Sequence, residues 1–153
     1  MKREDDTANL IPATWRDVIR VYCLKNERQA RMNSFDTKRI SFVKHVLWYR
    51  KFMHSPDIYI FFLKIKNRKV GYVRLNIKNE KGRISYCIDR RYRDRKYGTL
   101  IITMIEKRAV GLVKQLEAEV KKDNVASNRI FGRLNYEKYE DESCFRYVKN
   151  IAQ

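Results

Sequence analysis

The residues best suited to chemistry lie in one stretch, 84–105. It opens as a strand, with Ile84, Tyr86 and Ile88 alternating with Ser85 and Cys87. Seven of the next eight residues, Asp89 to Lys96, are charged, interrupted only by Tyr92, and an apolar helical run follows Gly98. A strand that feeds a basic turn and then a helix has the layout of an anion-binding loop. Backbone N–H groups at the helix start face the anion, the helix dipole adds positive potential, and arginines supply forked donors that suit phosphate. The same charge pattern also fits a solvated hairpin with no ligand.

The elements that must position this stretch follow from period and punctuation. A chain of 153 residues, 44% hydrophobic, is read as a single domain over 1–153 with its own core. No run approaches the roughly 20 apolar residues of a membrane span. Residues 1–6 are charged and lack an apolar signal core. Cys23, Cys87 and Cys144 are odd in number and far apart, so neither a disulfide framework nor a metal site is expected, and the chain reads as cytoplasmic.

A short strand is expected at 9–13, with Pro12 confining it to an edge or a strand end. A helix over 15–24 starts at Thr14, with Asp17 in a capping box. A polar segment covers 26–35. Ser41 caps a second helix with Phe42, Val43, Val46, Leu47, Tyr49 and Phe52 as its apolar stripe. Three antiparallel strands come next, at 58–65, 70–77 and from 84, and then the helix after Gly98. A strand at 116–120, a helix over 125–134 and a final strand pair around Asp141 and Glu142 complete the chain.

Tyr92-Arg-Asp-Arg-Lys-Tyr-Gly-Thr99 resembles the acetyl-coenzyme A loop of the GCN5-related N-acetyltransferases, commonly Arg/Gln-x-x-Gly-x-Gly/Ala after a strand. Arg93 falls on the first motif position and Gly98 on the last glycine. Lys96 replaces the middle glycine, and Asp94 stands where another glycine is often found. A second segment, Ala118 to Asn124 followed by Ser127, Phe131 and Leu134-Asn-Tyr136, resembles the later motif of the family.

The resemblance implies an α/β (α+β) mixed sheet in the order β-α-α-β-β-β-α-β-α-β-β, with strands 4 and 5 splayed apart. It implies acetyl-coenzyme A as co-substrate. The diphosphate would be held along Arg93, Asp94, Arg95, Lys96, Tyr97, Gly98 and Thr99, and the pantothenate arm between main-chain groups near Ile88 and Asn124, with Ser127 and Phe131 beside it. The family often places a thiolate-protonating tyrosine where Phe131 stands, which leaves Tyr136, Tyr139 or Ser127 as substitutes. As a general base the options are Tyr86, His45 and Glu80.

Asn26, Arg31, Ser34, Phe35, Ile40-Ser41, His45 and Trp48-Tyr49 resemble, in part, a subgroup that includes the pseudaminic acid pathway acetyltransferases. That likeness implies acetylation of the 4-amino group of a UDP-linked deoxyamino sugar, with Asn26, Arg31, Ser34, Phe35, His45 and Trp48 lining the acceptor site. Taken as residues alone, Trp48 and Tyr49 fit core packing, His45 a hydrogen-bonded histidine and Arg31 a surface cation.

Two other functions are weighed. One is a protein or ribosomal-protein N-acetyltransferase, which needs an open groove. The other is a nucleic-acid-binding module, for which the net charge of +17 speaks. The basic residues are spread over the whole length without a stacking motif, so a nucleic-acid partner is not expected. Either a monomer or a homodimer is compatible with the sequence.

Overall fold

The computed structural model describes residues 7–152. The charged residues 1–6, judged above for a signal core, lie outside them. The strands are β1 (Ala8–Pro12), β2 (Ile58–Ile65), β3 (Arg68–Lys78), β4 (Lys81–Ile88), β5 (Gln115–Lys121), β6 (Glu137–Glu140) and β7 (Cys144–Asn150). The helices are α1 (Val18–Asn26), α2 (Arg28–Met32), α3 (Phe42–Met53), α4 (Tyr97–Ala109) and α5 (Val125–Arg133). All seven strands join one sheet in the order β1-β2-β3-β4-β5-β7-β6. The expected mixed α/β order is present.

Alternation along the strands gives the sheet two apolar faces, each covered by helices. On one face Val73, Leu75, Ile84 and Ile88 pack with Ile101, Ile102 and Ile105 of α4 and Phe131 of α5. On the other, Ile60, Phe62 and Tyr72 pack with Val21 and Leu24 of α1 and Tyr49 and Phe52 of α3. Residues 85 and 87 therefore look towards α1 and α3, whereas 84, 86 and 88 look towards α4 and α5.

The central pair is where the sheet departs from regularity. β4 and β5 run parallel but pair only over Lys81–Gln115, Gly82–Leu116 and Arg83–Glu117. From residue 84 onward β4 keeps its antiparallel partner β3 as far as Ile88, while β5 stays with β7 as far as Lys121. The two middle strands thus part like a V, and an Arg83–Glu119 ion pair stands where they diverge.

Three details differ from the sequence reading. The first helical segment opens as a single 3₁₀ turn, Trp15–Asp17, before α1, with the Asp17 carboxylate accepting the Thr14 N–H at 2.9 Å. The polar segment 26–35, also open to reading as a broken helical turn, holds a short regular helix, α2, because the Glu27 carboxylate caps the amides of Gln29 and Ala30. Ser41 does cap α3, but the buried face of that helix is His45, Tyr49 and Phe52. Phe42, Val43 and Leu47 are exposed, because the stripe drawn on the sequence was wider than the one face α3 can turn to the sheet.

Candidate active site

The gap between β4 and β5 opens into a cleft of about 820 Å³, the larger of two described concavities. Its backbone lining follows from hydrogen-bond parity. Asp89 N–H bonds to Val70 O on the β3 side at 2.9 Å, and the Lys114 N–H reaches Glu80 O on the β5 side at 2.8 Å. Antiparallel alternation therefore turns the backbone groups of Ile84, Tyr86 and Ile88 towards β5, which has moved away from them. These groups face the cleft and need a partner there. The Ile88 carbonyl accepts from Arg93 Nε at 3.1 Å, so the Ile88 N–H is what this residue offers a ligand.

The loop from 93 to 99 closes the wide end of the cleft. Asp94 and Lys96, the two residues standing where the motif has glycine, both adopt left-handed backbone, with φ of 60° and 64°. The glycine-type curvature is kept without glycine, at a cost of about 1 kcal/mol per residue. Lys96 is the N-cap of α4, and the helical ladder begins with Leu100 N–H to Lys96 O at 3.1 Å. The amides of Gly98 and Thr99 lie before that first rung and line the cleft, as an anion site requires.

Gly98 itself is needed for space. A Cβ there would stand 2.7 Å from Ile130 Cδ1 and 3.5 Å from Tyr86 Cε2. Arg93 acts as a strut and not as an open donor: it joins Ile88 O to the Glu27 carboxylate, the latter at 2.8 Å. Beneath the loop Asp89 is buried and held by Arg91 and Arg20, with its carboxyl lowered to about 2, chiefly by hydrogen bonding to Arg91.

Across the gap, α5 begins at Asn124, whose side chain accepts the Ser127 N–H at 3.3 Å. The Asn124 side chain lies in the cleft but also serves as a helix cap. Ser127 is buried, and its Oγ lies 2.6 Å from the Tyr86 hydroxyl. Burial raises the Tyr86 pKa, a rise only partly offset by the bond to Ser127. Phe131 sits one turn further along α5, its ring 6.4 Å from that of Tyr86 and 5.0 Å from that of Tyr136.

The remaining predicted residues divide sharply. Arg31, Ser34, Phe35 and Trp48 line the cleft. Arg31 also ties the local chain together, donating to Asn26 O at 3.2 Å and Thr37 O at 3.1 Å, and Ser34 Oγ donates to Ala30 O at 2.9 Å. Asn26 is behind this wall. Its side chain donates to Ile40 O and accepts the Ile40 N–H, fastening the 33–40 loop to the end of α1. Phe35 is exposed at the rim.

Four of the proposed acid–base residues, His45, Glu80, Tyr136 and Tyr139, do not line the cleft. His45 is 1% exposed between α1 and α3, with Nε2 2.8 Å from Val18 O, and burial lowers its pKa. Glu80 sits in the β3–β4 turn, paired with Lys114 at the far end of β4 from Ile88. Tyr136 is buried under Phe131, its pKa raised by burial and by the nearby Glu106 carboxylate. The resemblance suggested His45 and Tyr136, which packing buries away from the cleft, and Glu80 was suggested by its nearness to β4 but sits at the strand's opposite end. Tyr139 is exposed on β6.

The sequence reading missed a cationic cluster. Lys25, at the end of α1, holds Nζ 3.4 Å above the Trp48 ring, and Arg74 of β3 approaches the same ring at 5.7 Å and Phe52 at 5.3 Å. Both cations line the cleft. A visible signal for Arg74 was a charge in the middle of the apolar run 70–75. Lys25 directly precedes Asn26 in the segment of the acceptor-side resemblance, but nothing local marks which helical lysine will be covered.

A V-shaped break in the sheet, bare amides at a helix start and a cleft reaching both define an acyl-coenzyme A binding fold. The acetyltransferase (GNAT) family model matches residues 23–136, and the chain belongs to that family: it is an acetyl-coenzyme A-dependent N-acetyltransferase. Solved structures agree on the fold. Spermidine N-acetyltransferase from Vibrio cholerae, in complex with CoA and spermine, superposes with a TM-score of 0.86 at 13% identity, covering 95% of this chain and 96% of that one. A domain from Methanocaldococcus jannaschii gives 0.83 at 18% identity, covering 94% and 98%. Ribosomal-protein-alanine N-acetyltransferase from Brucella melitensis gives 0.77 at 13% identity, covering 94% and 99%. No curated protein sequence matches the chain significantly. Among the described residues no helix is long and apolar enough to cross a membrane.

Proposed function

We propose that the protein transfers the acetyl group to the 4-amino group of a nucleotide-linked deoxyamino sugar by direct attack within a ternary complex. The observation that carries this reading is the two-sided cleft, with a bare-amide loop at one end and a basic, aromatic wall at the other. Acetyl-coenzyme A supplies an activated thioester, and the residues of this chain do the rest. Amides of Gly98 and Thr99 hold the diphosphate, and Ile88 N–H and Asn124 flank the pantothenate arm. An even-numbered β4 amide facing the gap donates to the oxyanion as the amine attacks the carbonyl carbon. Tyr86, kept neutral by burial and hydrogen-bonded to Ser127, donates its proton to the thiolate as the C–S bond breaks, and the proton shed by the attacking amine returns to the Tyr86 oxygen, so that the hydroxyl is restored. It takes the catalytic role that Phe131 cannot.

Charge favours the sugar over a polyamine acceptor. Lys25, Arg31, Lys38 and Arg74 line the acceptor end against the carboxylate of Asp36, so the balance of charge there is positive and disfavours a polycation. Phe35 and Trp48 offer flat apolar surface to a base or to the methyl face of a sugar. A peptide N-terminus is the second acceptor class, favoured by the exposed rim at Ser34 and Phe35. Thiol release measured over a panel of UDP- and dTDP-amino sugars, spermidine and N-terminal peptides decides between them. Turnover confined to the amino sugars is expected, and turnover confined to peptides or spermidine overturns the reading. In Tyr86→Phe, kcat is expected to fall about 10²-fold with KM little changed, in line with loss of one general acid.

A further inference from the structure

Most charges in this chain that are drawn out of solvent are matched. Asp89 has Arg20 and Arg91, Asp17 has Lys69, Glu27 has Arg93, and Glu106 has Lys149. Lys25 and Arg74 are different. Each is partly buried in the acceptor end of the cleft, and each presses on Trp48. Among the described residues neither has a carboxylate partner.

Their surroundings make this arrangement costly. The titratable groups facing Lys25 are the Arg74 guanidinium from β3 and the Cys87 thiol from β4, which burial pushes up to about 11 and keeps neutral, and Lys25 in turn acts on His45 of α3. The charge of Arg83 faces Arg74 along with the Tyr72 hydroxyl, and Arg74 Nε is buried without an acceptor. Burial and Arg74 together bring the Lys25 ammonium down to about 8, and burial lowers Arg74 as well. Two like charges and an orphaned donor in a low-dielectric corner destabilise one another unless an anion joins them.

The corner also lies on the correct face. Arg74 is the cross-strand neighbour of Ser85, so it projects from the α1–α3 side of the sheet. The loop and α4 occupy the opposite side. The acetyl donor entering from the loop therefore leaves this corner to the other substrate.

We propose that Lys25 and Arg74, braced against Trp48, form a subsite for an anionic group carried by the acetyl acceptor. A phosphate or diphosphate fits best, because a planar guanidinium and a point-charge ammonium can grip separate oxygens while the indole covers an adjoining flat group. This deepens the reading of the acceptor given above and rests on it for the term acceptor. It also moves anion recognition away from Arg31, whose guanidinium is engaged by two backbone carbonyls.

The test uses full-length protein saturated with coenzyme A and titrates UDP, inorganic pyrophosphate, malonate and uridine by calorimetry. UDP and pyrophosphate are expected to bind more tightly than uridine. Affinity for both is expected to fall about tenfold or more in Lys25→Met, Arg74→Met and the double variant, the loss expected for a charge-assisted hydrogen bond. The thermal shift given by coenzyme A reports whether each variant is folded, and Arg74→Gln is the reserve if the methionine change is not tolerated. Tighter binding of malonate than of pyrophosphate, lost in the same variants, assigns the subsite to a carboxylate and upholds it. Equal affinity of wild type and double variant for every anion overturns the subsite. Acetyl transfer is scored separately with one amino sugar supplied both free and UDP-linked. If neither is acetylated while UDP binding depends on Lys25 and Arg74, the acceptor reading falls and the anion subsite stands.

Discussion

Arg93 stands at the first position of the coenzyme loop motif, yet its guanidinium is spent within the protein. It donates to Ile88 O at 3.1 Å and to Glu27 at 2.8 Å, with side chains only 30% and 23% exposed. Arg93→Met removes both bonds, strands a strand-end carbonyl and leaves Glu27 with only the amides of Gln29 and Ala30. Hydrogen bonds to charged groups contribute about 1.5–3 kcal/mol each when well buried, and partial exposure brings the sum here to about 2 kcal/mol. For a domain of this size that lowers Tm by about 4–8 °C.

The assay is thermal unfolding of ligand-free wild type, Arg93→Met, Glu27→Gln and the double variant, with coenzyme A titration of each. The double-mutant cycle should return a coupling of about 0.5–1.5 kcal/mol. Burial alone would raise the Glu27 pKa, but Arg93 and the two amides outweigh it and hold the carboxyl below its ordinary value. A carboxyl lowered in the fold contributes stability above its unfolded pKa and loses it as pH falls. The coupling should therefore fade from about pH 4.3 downward. If Arg93→Met leaves the ligand-free Tm unchanged while coenzyme affinity collapses, Arg93 grips the ligand directly and the strut argument is refuted.

The remaining predictions concern the loop and the acid limb of stability. Gly98→Val places a branched side chain where a Cβ already stands 2.7 Å from a flexible Ile130 methyl, so the fold should survive with about 1–2 kcal/mol lost. Coenzyme A affinity, read by calorimetry, should fall at least about tenfold, because the helix start is pushed off its position. Acid unfolding should have two stages. His45 is buried neutral with a lowered pKa, so protonation opposes the fold and stability should begin to fall below about pH 6.5, a stage absent in His45→Gln. Asp89, at about 2, adds a second loss as pH drops below about 4, worth roughly 1–2 kcal/mol after solvent screening and removed in Asp89→Asn.

How much of this was legible depended on whether the signal was local. The strand, basic turn and helix at 84–105 could be read because alternation, charge and Gly98 all lie within a few residues of one another. The helix from Val125 was likewise legible, although Asn124 was marked only by the resemblance and not as its cap. The conformation of Asp94 and Lys96 was not, since a positive φ at lysine leaves no mark on the sequence. His45 and Tyr136 were misplaced for a different reason: a polar side chain near a motif looks available until the packing of α3 or α5 shows which way it turns. Lys25 and Arg74 are 49 positions apart and meet only because α1 and α3 lie over β3. Such a pair is a tertiary fact, and composition records only that lysine and arginine are plentiful.

Among the described residues, the ladder that joins β1–β4 to β5–β7 has only three residue pairs, supplemented by the Lys114 N–H to Glu80 O bond and the Lys81–Glu117 and Arg83–Glu119 ion pairs. The notch proposed above for the coenzyme therefore also lies at the shortest ladder in the described sheet. A ligand lodged there touches both banks and stands in for the missing rungs, so occupancy and the mechanical unity of the domain rise together. The enzyme between turnovers is, in this sense, two half-sheets held by a short hinge of backbone bonds and the helices laid across it.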